Sequence, residues 1–212
     1  MQALNNKNGK TIVISMIKTI QANKEYLSEI DGAIGDGDHG INMSKGFTKC
    51  EALLKDKEVS FGEALTSLGD VLFNEIGGSM GPLYGLLFTE MGKSIQEKDV
   101  INASSLNDML GDGLGALREI VTAKVGDKTL MDVLIPAKES LQNSVNDGYD
   151  LVSTLEKMKA AAEKGKDATT DMVAKFGRAS RLGERSIGVV DPGAASSCLL
   201  LKAIADEIMR LI

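Results

Sequence analysis

Ser60-Phe61-Gly62-Glu63-Ala64-Leu65-Thr66-Ser67-Leu68-Gly69-Asp70-Val71-Leu72-Phe73-Asn74-Glu75-Ile76 opens on a start signal and continues on a stripe. Ser60 stands three residues before Glu63, the spacing in which a hydroxyl caps the first helical turn and an acid reaches back to close it. Leu65, Leu68 and Leu72 then recur three and four residues apart, which gathers them on one helix face. The habit extends both ways along the chain. Upstream, Val13, Ile17, Ile20, Tyr26-Leu27 and Ile30 follow one stripe of helical period; downstream, Leu110/Leu114/Leu117/Val121 and Val133/Leu134/Ala137/Leu141 repeat it. Alternating Val/Ile/Thr/Tyr runs of strand type are nearly absent. The expected fold is therefore all-α, with helices over 8–30, 41–56, 60–76, 79–96, 104–123, 128–145, 150–176 and 191–212. Further caps are read at Ser105, three residues before Asp108, at Asp127, and at Asp191 ahead of Pro192. Eight helices and no linker predict one antiparallel bundle, with 1–212 as a single domain.

Composition excludes several functions. The 212 residues carry 24 basic and 30 acidic side chains, a net charge of −6. No Lys/Arg run offers the basic face that a nucleic-acid backbone requires, and five Phe, three Tyr and no Trp leave little for base stacking. Cys50 and Cys198 are isolated and there is one histidine, so a closed zinc site lacks its donors. The longest uncharged run, 14 residues between Glu75 and Glu90, is too short to span a membrane. The N-terminus lacks the basic-then-apolar order of a signal peptide, which makes the cytoplasm the expected compartment. The 23 glycines are in excess; several fall between expected helices, where a ligand can approach the backbone, and the alternative is turns and tight helix contacts.

Three motif likenesses fail on context. Gly35-Asp36-Gly37-Asp38-His39-Gly40 has the spacing of a dinucleotide fingerprint, but it follows a helix and its acids repel a bare pyrophosphate. Asp36-x-Asp38-x-Gly40 begins like a calcium loop whose twelfth position, here Phe47, has to be an acid. Gly9-Lys10-Thr11 and Gly92-Lys93-Ser94 lack the earlier glycine of a phosphate loop. What remains is a carboxylate cluster. Asp31, Asp36 and Asp38 crowd one glycine-punctuated turn and repel one another unless a cation neutralises them, and Mg²⁺ suits such oxygen donors. A solvated Asp/Gly turn is the other reading. Far along the chain, Gly177-Arg178-Ala179-Ser180-Arg181-Leu182-Gly183-Glu184-Arg185 precedes Asp191-Pro192-Gly193. Arg178 and the N-terminus of the last helix suit an anion such as phosphate. His39, with no orienting partner in the upstream sequence, suits a nucleotide pocket better than covalent catalysis. Gly77-Gly78-Ser79-Met80-Gly81 reads equally as a helix-terminus turn or as a site where a base or ribose approaches.

Taken in order, Asp31-x-x-Ile34-Gly35-Asp36-Gly37-Asp38-His39-Gly40-x-Asn42-Met43, then Gly77 to Gly85, Gly126-Asp127-Lys128-Thr129, Gly177 to Gly188 and Asp191-Pro192-Gly193 resemble the L-subunit family of dihydroxyacetone kinases. The likeness runs from about residue 26 to the C-terminus. It implies an eight-helix up-and-down barrel with nucleotide at one end, held through two Mg²⁺ on Asp31, Asp36 and Asp38. It also implies nucleotide contacts from His39, Gly40, Ile41, Asn42, Ser79, Met80, Leu130, Arg178, Asp191, Pro192 and Gly193. Met80 stands where many relatives have Ser, and Leu130 where some have Met. A chain of this length is similar to the separate subunit of the phosphotransferase-system enzyme. The resemblance then implies retained ADP, rephosphorylated by a phosphohistidine M subunit and donating to dihydroxyacetone on a K subunit that also carries the catalytic base. A transcriptional regulator is a further implied partner. The other readings are the nucleotide domain of an ATP-dependent dihydroxyacetone or fatty acid kinase, and a non-enzymatic nucleotide-binding partner of a regulator.

Overall fold

The Ser60–Glu63 pattern forms a reciprocal cap in a computed structural model that describes residues 3–212. The Glu63 amide donates to Ser60 Oγ at 3.2 Å, and the Ser60 amide donates to the Glu63 carboxylate at 2.8 Å. From this cap runs α4 (Phe61–Glu75). The other helices are α1 (Lys10–Ala22), α2 (Lys24–Ile34), α3 (His39–Leu54), α5 (Met80–Gln96), α6 (Ala103–Ile120), α7 (Met131–Asn146), α8 (Leu151–Ala168) and α9 (Pro192–Leu211). The sheet among the described residues is one antiparallel pair, Leu4–Asn5 against Val100–Ile101.

Four details differ from the sequence expectation. The first helix is broken: Asn23 turns its side-chain amide back onto the Thr19 carbonyl at 2.8 Å, ending α1 one residue before α2 begins. Ser105 is not a cap but the third residue of α6, its amide donating to the true cap, Asn102, at 2.9 Å. Asp127 does not cap a helix at Lys128, because its carboxylate accepts from the Lys124 amide behind it and from Lys175. α7 starts only at Met131. The helix expected to reach residue 176 stops at Ala168 and passes into the 3₁₀ turn Thr169–Asp171. Asp191 does cap α9, accepting from the Ala194 amide at 2.7 Å with Pro192 in the first turn.

With α1 and α2 taken as one broken arm, eight arms form the barrel. Each of α3 to α8 packs on its successor, and α9 returns to α1, which also packs on α3, closing the ring. Short connections between antiparallel neighbours produce this arrangement. The interior is filled by fully buried Met16, Ile17, Phe47, Phe61, Leu65 and Ile208 among others. α4 and α5 approach backbone to backbone along a row of glycines. A methyl on Gly69 would lie 2.5 Å from the Thr89 amide nitrogen, and one on Gly85 would lie 2.9 Å from that of Phe73.

The up-and-down path also places the site. The α2–α3, α4–α5, α6–α7 and α8–α9 connections are alternate loops, so all four emerge at one end of the barrel.

Candidate functional site

Those four loops enclose a cavity of about 470 Å³, within the size range of small-molecule sites. The expected residues Asp31, Asp36, Asp38, His39, Asn42, Ser79, Met80, Leu130, Arg178, Asp191, Pro192 and Gly193 all line it. Gly40 and Ile41 do not. A Cβ on Gly40 would lie 2.6 Å from Ser28 Oγ and overlap the Lys24 carbonyl, so this glycine lets α3 cross α2. Ile41 lies beyond the lining with 52% of its surface exposed. Sequence reasoning does not single out Tyr84, Thr129, the strip Ile120, Val121, Thr122 and Ala123, or Phe176 as contacts, yet all of them line the cavity. Tyr84 and Thr129 fall inside the quoted motifs with no contact assigned to them, and nothing local marks the others; they meet because alternate loops converge.

Asp31 lies in the last turn of α2, and Asp38 immediately precedes α3. Between them the chain reverses through Gly37, whose φ of +77° is one that side-chain-bearing residues rarely adopt. One carboxylate oxygen from each of Asp31, Asp36 and Asp38 then lies within 4.8 Å of the others. Burial, followed by the charges of Asp36 and Asp31, raises the Asp38 pKa; Arg178 and a hydrogen bond from Asn42 pull it down less strongly. Arg178 pairs with Asp36 across the cavity mouth. Three carboxylates against one guanidinium leave an excess of negative charge, for which divalent cations are a suitable counter-charge. The oxygen-only donor set suits Mg²⁺ or Ca²⁺ rather than zinc.

Behind the acids lies a buried hydroxyl network. His39 Nε2 is 2.8 Å from Ser196 Oγ, and burial lowers the imidazole pKa to about 4, so the ring is neutral near pH 7. The same Ser196 Oγ lies 2.7 Å from the Tyr84 hydroxyl, which donates to the Gly193 carbonyl at 3.0 Å. Burial pushes that phenol up to about 12. The network ties α3, α5 and the start of α9 together, and thereby fixes the turn Asp191-Pro192-Gly193. Asp191 is half-buried at the cavity wall. Burial raises its pKa to about 7, with Asp132 adding to the rise and the Ala194 amide and Lys128 opposing it. The lining divides between apolar side chains, among them Ile34, Met80, Leu83, Leu130 and Phe176, and charged ones, Asp31, Asp36, Asp38 and Arg178. A ligand with a flat apolar part and an anionic tail bridged by a cation fits this division.

Residues 33–206 match the DAK2 domain family. The chain is 37% identical over 196 residues to the ADP-binding subunit DhaL of a PEP-dependent dihydroxyacetone kinase from Listeria innocua, covering 91% of this chain and 90% of that one. It is 38% identical over 184 residues to the corresponding Escherichia coli subunit, covering 85% and 87%. The crystal structure of the dihydroxyacetone kinase from C. freundii, in complex with AMP-PNP and Mg²⁺, superposes with a TM-score of 0.69 at 25% identity. That superposition takes in 98% of this chain but only 35% of the kinase, so this chain corresponds to about a third of that protein.

Proposed function

The chain belongs to the DAK2 domain family, and from that premise we propose that it is the ADP-binding phosphotransfer subunit of a phosphotransferase-system-dependent dihydroxyacetone kinase. The observation that carries the reading is the convergence of three carboxylates, within 4.8 Å, at the mouth of a cavity that Arg178 closes from the opposite side. Support comes from relatives named as ADP-binding subunits that match over most of both lengths. Solved with AMP-PNP and Mg²⁺, the C. freundii kinase shows that a relative of this fold takes a nucleotide and magnesium.

In this reading Asp31, Asp36 and Asp38 hold two Mg²⁺, which when bound neutralise phosphate oxygens and align donor with acceptor. The chain's own groups do the rest. Ile34, Met80, Leu83, Leu130 and Phe176 offer apolar surface to the base, and Ser79, His39 and Asn42 offer polar atoms at the cavity wall. Arg178, whose side chain is 60% exposed, is free to exchange Asp36 for the distal phosphate oxygens. The one histidine is engaged by Ser196, and Asp191 is committed to capping α9. The acceptor hydroxyl and its base then reside on a dihydroxyacetone-binding K subunit, and a phosphohistidine M subunit recharges the ADP in place. The cytoplasm is the compartment that suits these partners. Among the described residues no helix is long and apolar enough to cross a membrane.

Reconstitution tests the proposal. With K subunit, phosphorylated M subunit and this chain, dihydroxyacetone is phosphorylated, and Asp36→Asn loses the transfer by about 100-fold or more. Transfer at the same rate without this chain, or with D36N in its place, contradicts the assignment.

A further inference from the structure

Lys128 is the one residue other than glycine with positive φ among the described residues, at +60°. Side-chain-bearing residues rarely adopt that backbone, so something has to hold it there. Its side chain has no exposed surface, and its Nζ donates to three backbone carbonyls: Met172 at 3.2 Å, Ser186 at 2.7 Å and Val189 at 2.6 Å. Three acceptors on one nitrogen require three N–H groups, which an ammonium has and a neutral amine lacks. The acceptors are not scattered. Met172 lies before the segment that carries Arg178, and Ser186 and Val189 lie after it, so one buried charge draws the two ends of that segment together. The Ala174 amide on Ser186 Oγ at 2.9 Å and the Gly188 amide on the Thr170 carbonyl at 2.8 Å run across the same closure. Within the closed segment, Gly183 turns through a left-handed conformation and Arg178 is brought to the mouth opposite Asp36.

We infer that Lys128 is a positioning residue, whose ammonium clasps the base of the arginine-bearing segment and so holds Arg178 over the anionic end of the nucleotide cavity. This rests on the nucleotide reading given above. Lys128 also lines the cavity, but its three donors are all engaged by carbonyls, so it acts through Arg178 rather than on the ligand.

A double-mutant cycle on Mg·ADP binding, followed by titration calorimetry, separates this from a merely structural role. Lys128→Met keeps the aliphatic stem and removes the charge. It is expected to weaken Mg·ADP by about 10-fold or more in the native background, but less than about 2-fold in an Arg178→Ala background, since the clasp then has nothing to aim. Amide exchange should quicken across 173–189 and stay unchanged in α4 and α5. Equal penalties in both backgrounds, or native-like binding by K128M, overturn the inference. Should K128M not fold, the same cycle is run with Lys128→Arg, which keeps the charge but spreads its donors over three nitrogens, and the same comparison decides. If the unsubstituted chain binds no Mg·ADP, the nucleotide reading itself falls and the clasp falls with it. Native binding together with an inert R178A sinks only the role given to Arg178 and its clasp.

Discussion

Asp191 has two roles that substitution can separate. Its carboxylate caps α9 through the Ala194 amide, and it is a half-buried titrating group whose desolvation raises its pKa to about 7. A carboxyl that holds its proton more tightly when folded favours the fold below its unfolded pKa of about 4 and loses that advantage as pH rises through the folded value. Asp191→Asn keeps a capping oxygen and removes the ionisation. Relative to the variant, the native chain should lose stability between about pH 4 and pH 7 and then run parallel to it; melting both proteins across that range checks this, and a constant difference contradicts it. Asp36 is the opposite case: its contact with Arg178 is largely exposed, so D36N should melt within about 1 kcal/mol of the native chain while losing transfer. A large drop in stability would assign Asp36 a structural role. The acids are legible in the sequence because three carboxylates in a glycine-punctuated turn demand a counter-charge. Lys128 is not. Along the chain it looks like the first residue of a helix capped by Asp127, and only the fold brings the three carbonyls to it.

At the scale of elements, periodicity locates the arms of the barrel while the exact ends follow local competition. The Ser60 and Asp191 caps are legible because the cap and its partner lie three residues apart. The break at Asn23 is not, since the apolar stripe continues across it and one side-chain amide decides the matter. The glycine excess is only half readable. Gly37 does serve the site turn, but Gly69 and Gly85 serve the contact of α4 with α5, and composition cannot show which backbone faces a glycine. Gly69→Ala forces a methyl against the Thr89 amide and Gly85 carbonyl, and should cost about 1–3 kcal/mol. Gly115→Ala, on an exposed turn of α6 with nothing within 4 Å of the new methyl, should gain up to about 1 kcal/mol. Denaturant midpoints of the two variants check this; equal shifts would mean that the close α4–α5 approach is not what the glycines serve.

Across the whole molecule, function follows from a topological fact: alternate loops of an up-and-down barrel share one end. That is why His39 meets Ser196 across 157 residues of sequence, and why Tyr84 reaches the start of α9. No local reading assembles these pairs, although the resemblance of the ordered motifs anticipates which end matters. The same fact makes the acids, Arg178 and the Asp191 turn parts of one cavity, so they should be lost or kept together when a ligand is bound. The most direct measurement is to denature the purified chain and quantify released nucleotide and magnesium. About one ADP per chain, accompanied by magnesium, is the result expected of a retained Mg·ADP. No released nucleotide, together with no magnesium-dependent ADP binding on titration, would contradict the account.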